Sequence, residues 1–334
     1  MITNPTPQRN LRGHKPARPT PRVANSPDHQ AFLAARLTAR DKWIIRMLHE
    51  HRVLTSHQIA TLAFPSPRSG RQRLRELFQW SVIDRFQPFI SVGTAPMHYV
   101  LAPAGATVLA AAEGIDVRDL GYRHDRALGI AYSLRLAHTV GVNDWFAALV
   151  DRARRDPRVT VDVWWSETRC ARHFGDIIKP DAYGRLTIDQ HEVEFFLEYD
   201  FGTEVLTKLA HKLVGYAALA ETSGITTPLL VWLPTARREA AARSVLRQFH
   251  GQLDHSDVVP VATASNEHLN LSTPLPSPAD PVWLPLGTSA ERCEPHRLLD
   301  AWPNLQPSAP VPDTSQDVRL LPAPAPTPPP SNER

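Results

Sequence analysis

Apolar residues recur at helical spacing in the first third of the chain and predict several short elements in close succession. Trp43, Ile44, Met47 and Leu48 follow the helical period in a segment that runs from Thr38 to Arg52. A shorter helix is predicted over SHQIATLAF and an arginine-rich helix over PRSGRQRLRELFQW. Two strand-like runs, VIDRFQPFI and HYVLA, follow on either side of a turn, and a helix over ATVLAAAEG ends the series.

Helix, short helix, arginine-rich helix and β-hairpin, in that order, predict a winged helix-turn-helix unit. Arg68, Arg71 and Arg75 are spaced i, i+3 and i+7, so they share one face of the third helix. We expect this face to lie along DNA phosphates or to reach guanine edges in the major groove. The alternative is a solvated helix face without a partner. The candidate DNA-binding residues are Arg68, Arg71, Arg73, Arg75 and Arg85.

The second half of the chain alternates helical and strand patterns. A long amphipathic helix is predicted between Asp125 and Pro157, with Leu134, Ala137, Val140 and Val142 toward a core. Strands are predicted over VTVDVWWSET, around Asp181 and over EVEFFLEYD, with an Arg/His-rich connection, RCARHFGD, after the first. Next come a helix with Thr203 as N-cap and Gly224 as C-cap, the buried strand PLLVWLPT, a helix over TARREAAARSVLRQFH and the strand VVPVATA. The order α-β-β-β-α-β-α-β predicts an α/β domain with a mixed sheet.

The chain therefore divides into four predicted parts, and its fold class is α/β, or α+β overall. Residues 1–30 form a disordered basic arm, and 31–122 the winged helix-turn-helix domain. Residues 123–302 form the α/β domain with a C-terminal appendage, and 303–334 a disordered proline-rich tail.

Composition narrows the class of protein. The 334 residues have a formal net charge of +3 and a pI near 9.0. The two cysteines, Cys170 and Cys293, lack CxxC spacing, which argues against a disulfide scaffold or a zinc ribbon. The sequence has no apolar run of about 18 residues. We expect a soluble cytoplasmic protein. A nucleotide hydrolase and a covalent relaxase are disfavoured, because a phosphate-binding glycine loop and a His-x-His or tyrosine cluster are both missing from the sequence.

The chain resembles the replication-relaxation family of plasmid and mobile-element proteins, known mainly from actinobacteria. The resemblance covers roughly residues 40–302 and rests on RDKWIIRMLHEHRVLTSHQIATLAF, RQRLRELFQW, FLEYDFGTEVLTKLAHKLVGYAAL and the later VWLP. It implies a protein that binds double-stranded plasmid DNA during replication, relaxation or transfer, with replication or transfer proteins as further partners. It leaves the oligomeric state open.

The second domain is also similar to the PD-(D/E)xK nuclease fold, also called the restriction-endonuclease-like fold, which has an α-β-β-β-α-β core. Pro180-Asp181 matches the first motif element and Glu198 the second acidic position, but Asp200 stands where that fold has a lysine. The resemblance implies that Lys208 or Lys212, on the following helix, takes the place of the missing lysine.

Three readings of this site remain open. In the first, Asp181, Glu198 and Asp200 hold Mg²⁺ or Mn²⁺, and the helix lysine contacts the phosphate of a DNA strand that is nicked. In the second, the carboxylates are structural, with Glu198 paired to a helix lysine. In the third, an inactive nuclease fold serves a DNA-binding regulator of transcription or copy number.

Overall fold

The computed structural model describes residues 7–8, 11, 23–273, 276–287, 291–303, 305 and 321–330. The chain forms two compact units. Of the described residues, those up to Ala147 and those in 321–330 belong to the N-terminal unit, and those from Ala148 to Leu305 belong to the α/β unit. Residues 123–147, predicted to belong to the second domain, pack in the N-terminal unit. Most of the predicted disordered arm and tail lies outside the described residues.

The N-terminal unit contains every element that its hydrophobic pattern predicts, preceded by one additional helix. Its first elements are α1 (Pro27–Arg36), α2 (Ala39–His51), β1 (Leu54–Thr55), α3 (Ser56–Ala63), α4 (Pro67–Gln79), β2 (Ile83–Phe86), β3 (His98–Leu101) and α5 (Pro103–Glu113). The three strands form an antiparallel sheet in the order β1-β3-β2. Thr38 and Thr55 each close a capping box, so α2 and α3 begin at well-defined residues.

The long helix predicted from Asp125 is broken into three pieces, so that prediction was wrong. The pieces are α6 (His124–Gly129), a 3-10 turn (Ile130–Tyr132) and α7 (Leu136–Ala153). Ile130 and Leu136 are both buried in one cluster with Val53. In a continuous helix, six residues would put them about 120° apart, so the break lets both side chains enter the same cluster. Leu134, predicted to face the core, lies in the break and is 85% exposed.

The α/β unit is a six-stranded sheet with helices packed on it. Its elements are β4 (Val159–Ser166), α8 (Glu167–Phe174), β5 (Ala182–Ile188), β6 (His191–Tyr199), α9 (Leu206–Ser223), β7 (Leu229–Leu233), α10 (Ala236–His250), β8 (Val261–Ser265) and β9 (Leu284–Pro285). The strand order is β4-β5-β6-β7-β8-β9. β7 pairs in parallel with both β6 and β8, and the other pairs are antiparallel. The predicted mixed α/β architecture is confirmed.

Two local predictions in this unit were wrong. The segment RCARHFGD is mostly helix rather than a connection, because Ser166 caps α8 and the buried Cys170 and Phe174 lie one turn apart. Helix α9 is preceded by Val205 as N-cap rather than Thr203. Gly224 does adopt the left-handed conformation at the C-terminus of α9, with φ of 72°, as predicted.

The core of the α/β unit joins α9 and α10 to one face of the sheet. Leu213 and Leu246 from the helices pack with Phe196 and Val231 from the strands, and all four are at most 1% exposed. On the described part of the chain, no helix is both long and apolar enough to cross a membrane.

Candidate functional site

Helix α4 presents a row of exposed arginines on a firmly held helix. Arg68, Arg71 and Arg75 are all exposed, whereas Leu74 and Leu77 are completely buried on the opposite side. The hydroxyl of Ser66 accepts a hydrogen bond from the backbone N–H of Ser69, and Pro67 occupies the first turn. These features fix the start of the helix and the direction of the arginine row.

Gly70 lets α4 lie close to α3. A Cβ atom at Gly70 would come within 3.1 Å of the Ala60 Cβ and 3.2 Å of the Phe64 ring. Any larger residue would push the two helices apart. The glycine therefore sets the α3–α4 crossing from which the arginine row projects.

Arg73 has a different environment from the other arginines of α4. Its guanidinium group donates to the buried carboxylate of Asp41, at 2.9 Å to Oδ1, and to Glu76 at 2.6 Å. The carbonyl of Arg36 accepts a further hydrogen bond at 3.2 Å. These contacts connect α4 to the N-terminal end of α2 and leave Arg73 half-buried.

Arg85 extends the basic surface onto the hairpin. Its guanidinium carbon lies 4.1 Å from the centre of the Phe78 ring. Burial raises the pKa of the Tyr99 hydroxyl, and the neighbouring Arg85 and Arg75 oppose this rise. The charges of Arg75 on α4 and Arg85 on β2 therefore both act on Tyr99.

In the α/β unit, two adjacent strands position the first two candidate carboxylates. Asp181 directly precedes β5, and Glu198 lies near the end of β6, where Ala182 pairs with Leu197. The backbone N–H of Tyr199 donates to Asp181 Oδ2 at 2.9 Å. Asp181, Glu198 and Asp200 are all buried.

Both oxygens of Glu198 have partners on α9. The ammonium group of Lys212 donates to Oε2, and the hydroxyl of Tyr216 donates to Oε1 at 2.6 Å. Burial and the nearby charge of Asp181 raise the pKa of Glu198 to about 7. Burial lowers the pKa of Lys212, but the charges of Glu198 and Asp181 outweigh that effect, so the pKa lies above its usual value.

The third carboxylate, Asp200, belongs to a separate ion pair. Arg238, in the first turn of α10, donates to both carboxylate oxygens, and the Nη2–Oδ1 distance is 3.1 Å. The backbone N–H of Gly202 donates to Oδ1 at 2.8 Å. Arg238 also donates to the carbonyl of Glu204, so the ion pair closes the loop between β6 and α9.

The two lysines proposed to replace the motif lysine lie in different places. Lys208 is 75% exposed and pairs with Glu204 at 3.0 Å. Lys212 reaches Glu198 and is also close enough to Asp181 for that charge to affect its pKa. The structure thus brings Asp181, Glu198 and Lys212 together and directs Lys208 to solvent.

The carboxylates of the predicted metal site have protein partners in this structure. Among the described residues, one set of three potential ligands has its ligand atoms within 4.8 Å of one another, and it is Asp189, Glu294 and His296. Asp181, Glu198 and Asp200 do not converge in this way. Both oxygens of Glu198 and both oxygens of Asp200 are already bound by protein donors, so neither carboxylate needs a cation to satisfy it.

Sequence reasoning missed two residues of this region, Tyr216 and Arg238. Tyr216 follows Lys212 by four residues, so the spacing predicts that the two side chains share one face of the helix. Arg238 lies 38 residues after Asp200, and local spacing gives no indication that the two residues meet.

The chain thus combines a helical unit, which carries an exposed arginine row, with an α/β unit that contains a buried carboxylate–lysine cluster. A family model described as replication-relaxation matches residues 45–230, more than half of the 334 residues. The chain belongs to the replication-relaxation family. No curated protein and no solved structure shows a significant match to it.

Proposed function

We propose that the protein binds double-stranded DNA through its N-terminal unit and serves plasmid or mobile-element replication. The observation that carries the proposal is the exposed row of Arg68, Arg71 and Arg75 on a helix whose opposite side is anchored in the core. Family membership supports the replication role.

In this proposal the segment from α2 to β3 is a winged helix-turn-helix. α3 and α4 are the helix pair, α4 enters the major groove, and the β2–β3 hairpin is the wing. The three-stranded order β1-β3-β2 and the close crossing at Gly70 support this assignment. Arg75 and Arg85 lie near the same tyrosine, so the recognition helix and the hairpin can contact neighbouring phosphates.

A mobility-shift or anisotropy titration with plasmid-derived duplexes tests the proposal. Replacement of Arg68, Arg71 and Arg75 by alanine should weaken binding at least a hundredfold at low salt, because three phosphate-neutralising charges are removed. A matched control replaces the exposed Arg118, Arg126 and Arg135 of the same unit, which removes the same net charge. Equal loss in both variants, or none in the first, would contradict the proposed interface.

For the α/β unit, we propose a non-catalytic role with Asp181, Glu198 and Lys212 as a structural cluster of a nuclease-like fold. The protein partners that occupy Glu198 and Asp200 support this role. The function is then that of a DNA-binding replication or copy-number regulator rather than a hydrolase.

A divalent-metal-dependent nicking nuclease is the second candidate. One observation favours it: Lys212 reaches the acidic pair from α9, as a substitute for the lysine that β6 lacks. Supercoiled plasmid incubated with Mg²⁺ or Mn²⁺ separates the two candidates. Nicking by the wild-type chain that is lost in both Asp181→Asn and Lys212→Met, under conditions in which both variants are folded, would establish the nuclease. Absence of nicking, or equal nicking by all three proteins, supports the non-catalytic role.

A further inference from the structure

The C-terminal segment Leu321–Pro330, LPAPAPTPPP, is docked on the N-terminal unit. We call it the proline segment. The indole N–H of Trp43, on α2, donates to the carbonyl of Ala325 at 2.7 Å. Pro324 and Pro326, on either side of that carbonyl, are buried. The expectation of a disordered tail therefore does not hold for these ten residues.

The composition of the proline segment disfavours a regular helix or strand, and the segment has neither in the structure. Six of its ten residues are proline. Proline fixes φ near −65° and has no N–H, which favours polyproline II and prevents the segment from joining a helix or a sheet ladder. In polyproline II the backbone carbonyls have no internal partner, so Ala325 offers an acceptor to any nearby donor.

Trp43 supplies the complementary surface. It is 5% exposed, and its only hydrogen-bonding group is the indole N–H, which needs an acceptor once it is buried. The acceptor it finds lies 282 residues further along the chain. An aromatic ring whose N–H binds a carbonyl between two buried prolines is the arrangement that proline-recognition modules use.

We propose that α2 carries a polyproline II docking site centred on Trp43, and that its ligand is the proline segment of the same chain. Because the ligand is tethered, its effective concentration at the site is high, and it competes with any other proline-rich ligand. The site opens to such a ligand when the proline segment is released. This proposal is independent of DNA binding.

The test uses the full-length chain, in which substitutions weaken docking of the proline segment. Pro324→Ser with Pro326→Ser removes the two buried rings, and Pro322→Ser with Pro330→Ser, at exposed positions, is the matched control. A labelled peptide with the sequence of Leu321–Pro330 is titrated into each protein and followed by fluorescence anisotropy. We expect it to bind the first variant at least ten times more tightly than the wild type and the control.

Adding Trp43→Phe to the first variant should weaken peptide binding about fivefold to tenfold, the usual effect of one lost hydrogen bond. Equal peptide affinity for all proteins, or no effect of Trp43→Phe, would overturn the proposal.

A second measurement leaves Trp43 intact. In ¹⁵N-labelled full-length protein, one indole resonance should shift in the Pro324→Ser, Pro326→Ser variant and stay in place in the control. An unchanged indole spectrum contradicts docking at Trp43. Light scattering then identifies the source of the ligand: a monomeric wild type supports the intramolecular assignment. A dimer that the buried-proline variant converts to monomer would overturn it, because the segment would then come from a second copy.

Discussion

The ammonium group of Lys212 is hydrogen-bonded to Oε2 of Glu198, a carboxylate that is 1% exposed at the end of β6. The second oxygen of Glu198 is bound by Tyr216, so α9 satisfies the whole carboxylate. A charge buried in this way is tolerated only while its partner is present. Loss of one partner should therefore weaken the contact between β6 and α9, whether or not the pair takes part in chemistry.

Lys212→Met should destabilise the protein in a pH-dependent manner. Without the lysine, burial and Asp181 raise the pKa of Glu198 further above its unfolded value. A raised acid pKa gives stability at low pH that is lost as the pH rises through it. We expect a cost of about 3 kcal/mol at pH 8 and about 1 kcal/mol at pH 5.5, measured by urea denaturation.

The control is the double variant Glu198→Gln with Lys212→Met, which removes both charges together. Its unfolding free energy should lie within about 1.5 kcal/mol of the wild type at both pH values. If Lys212→Met costs the same at pH 5.5 and pH 8, the carboxylate is not the group that the lysine stabilises.

Substitution of Arg73 should affect stability, unlike substitution of the exposed arginines of α4. It neutralises Asp41, which is 1% exposed, so Arg73→Ala leaves a buried carboxylate without its cation. We expect a loss of about 2–3 kcal/mol in unfolding free energy, with little change in DNA affinity at temperatures where the variant is folded. Arg71→Ala, at an exposed position of the same helix, should show the reverse. If Arg73→Ala is stable and binds DNA more weakly, Arg73 contacts DNA as the sequence predicts.

Local pattern was enough to predict most elements of this fold. The signals for the helices that begin after Thr38 and Thr55, for the arginine row opposite Leu74 and Leu77, and for the apolar strand β7 each lie within a short stretch of sequence. The spacing of the apolar residues shows which face of the chain is buried, and the period of that spacing distinguishes a helix from a strand.

Pairing between residues far apart in the chain could not be predicted from local pattern. The spacing to Glu198 predicts Asp200 as a metal ligand, but it does not reveal the pairing of Asp200 with Arg238, which lies on the helix that follows β7. The proline segment looked like a disordered tail because its acceptor, at Ala325, meets Trp43 only in the folded chain. No local period encodes either contact.

Asp200→Asn should act on stability and leave metal affinity unchanged. The substitution removes the charge that Arg238 neutralises while it keeps the shape of the side chain. We expect a loss of about 2 kcal/mol in unfolding free energy. Calorimetric titration with Mg²⁺ or Mn²⁺ should give the same result for the variant and the wild type. If the wild type binds the ion and Asp200→Asn does not, Asp200 is a ligand and the ion pair with Arg238 gives way to the metal.

The salt dependence of DNA binding should show what the arginine row contacts. Each phosphate contact contributes about 0.9 to the slope of log affinity against log salt concentration. If Arg68, Arg71 and Arg75 lie along the backbone, the triple alanine variant should have a slope smaller by about 2.7, with equal losses on all duplex sequences. If one of them reads a guanine edge, its single variant should lose about 1–3 kcal/mol of binding free energy on the preferred duplex and little on others.

Titrations at four salt concentrations on a plasmid-origin duplex and a scrambled duplex distinguish these outcomes. An unchanged slope on both duplexes would show that the arginine row does not contact DNA, because cationic side chains that bind phosphates release the counterions condensed on the DNA.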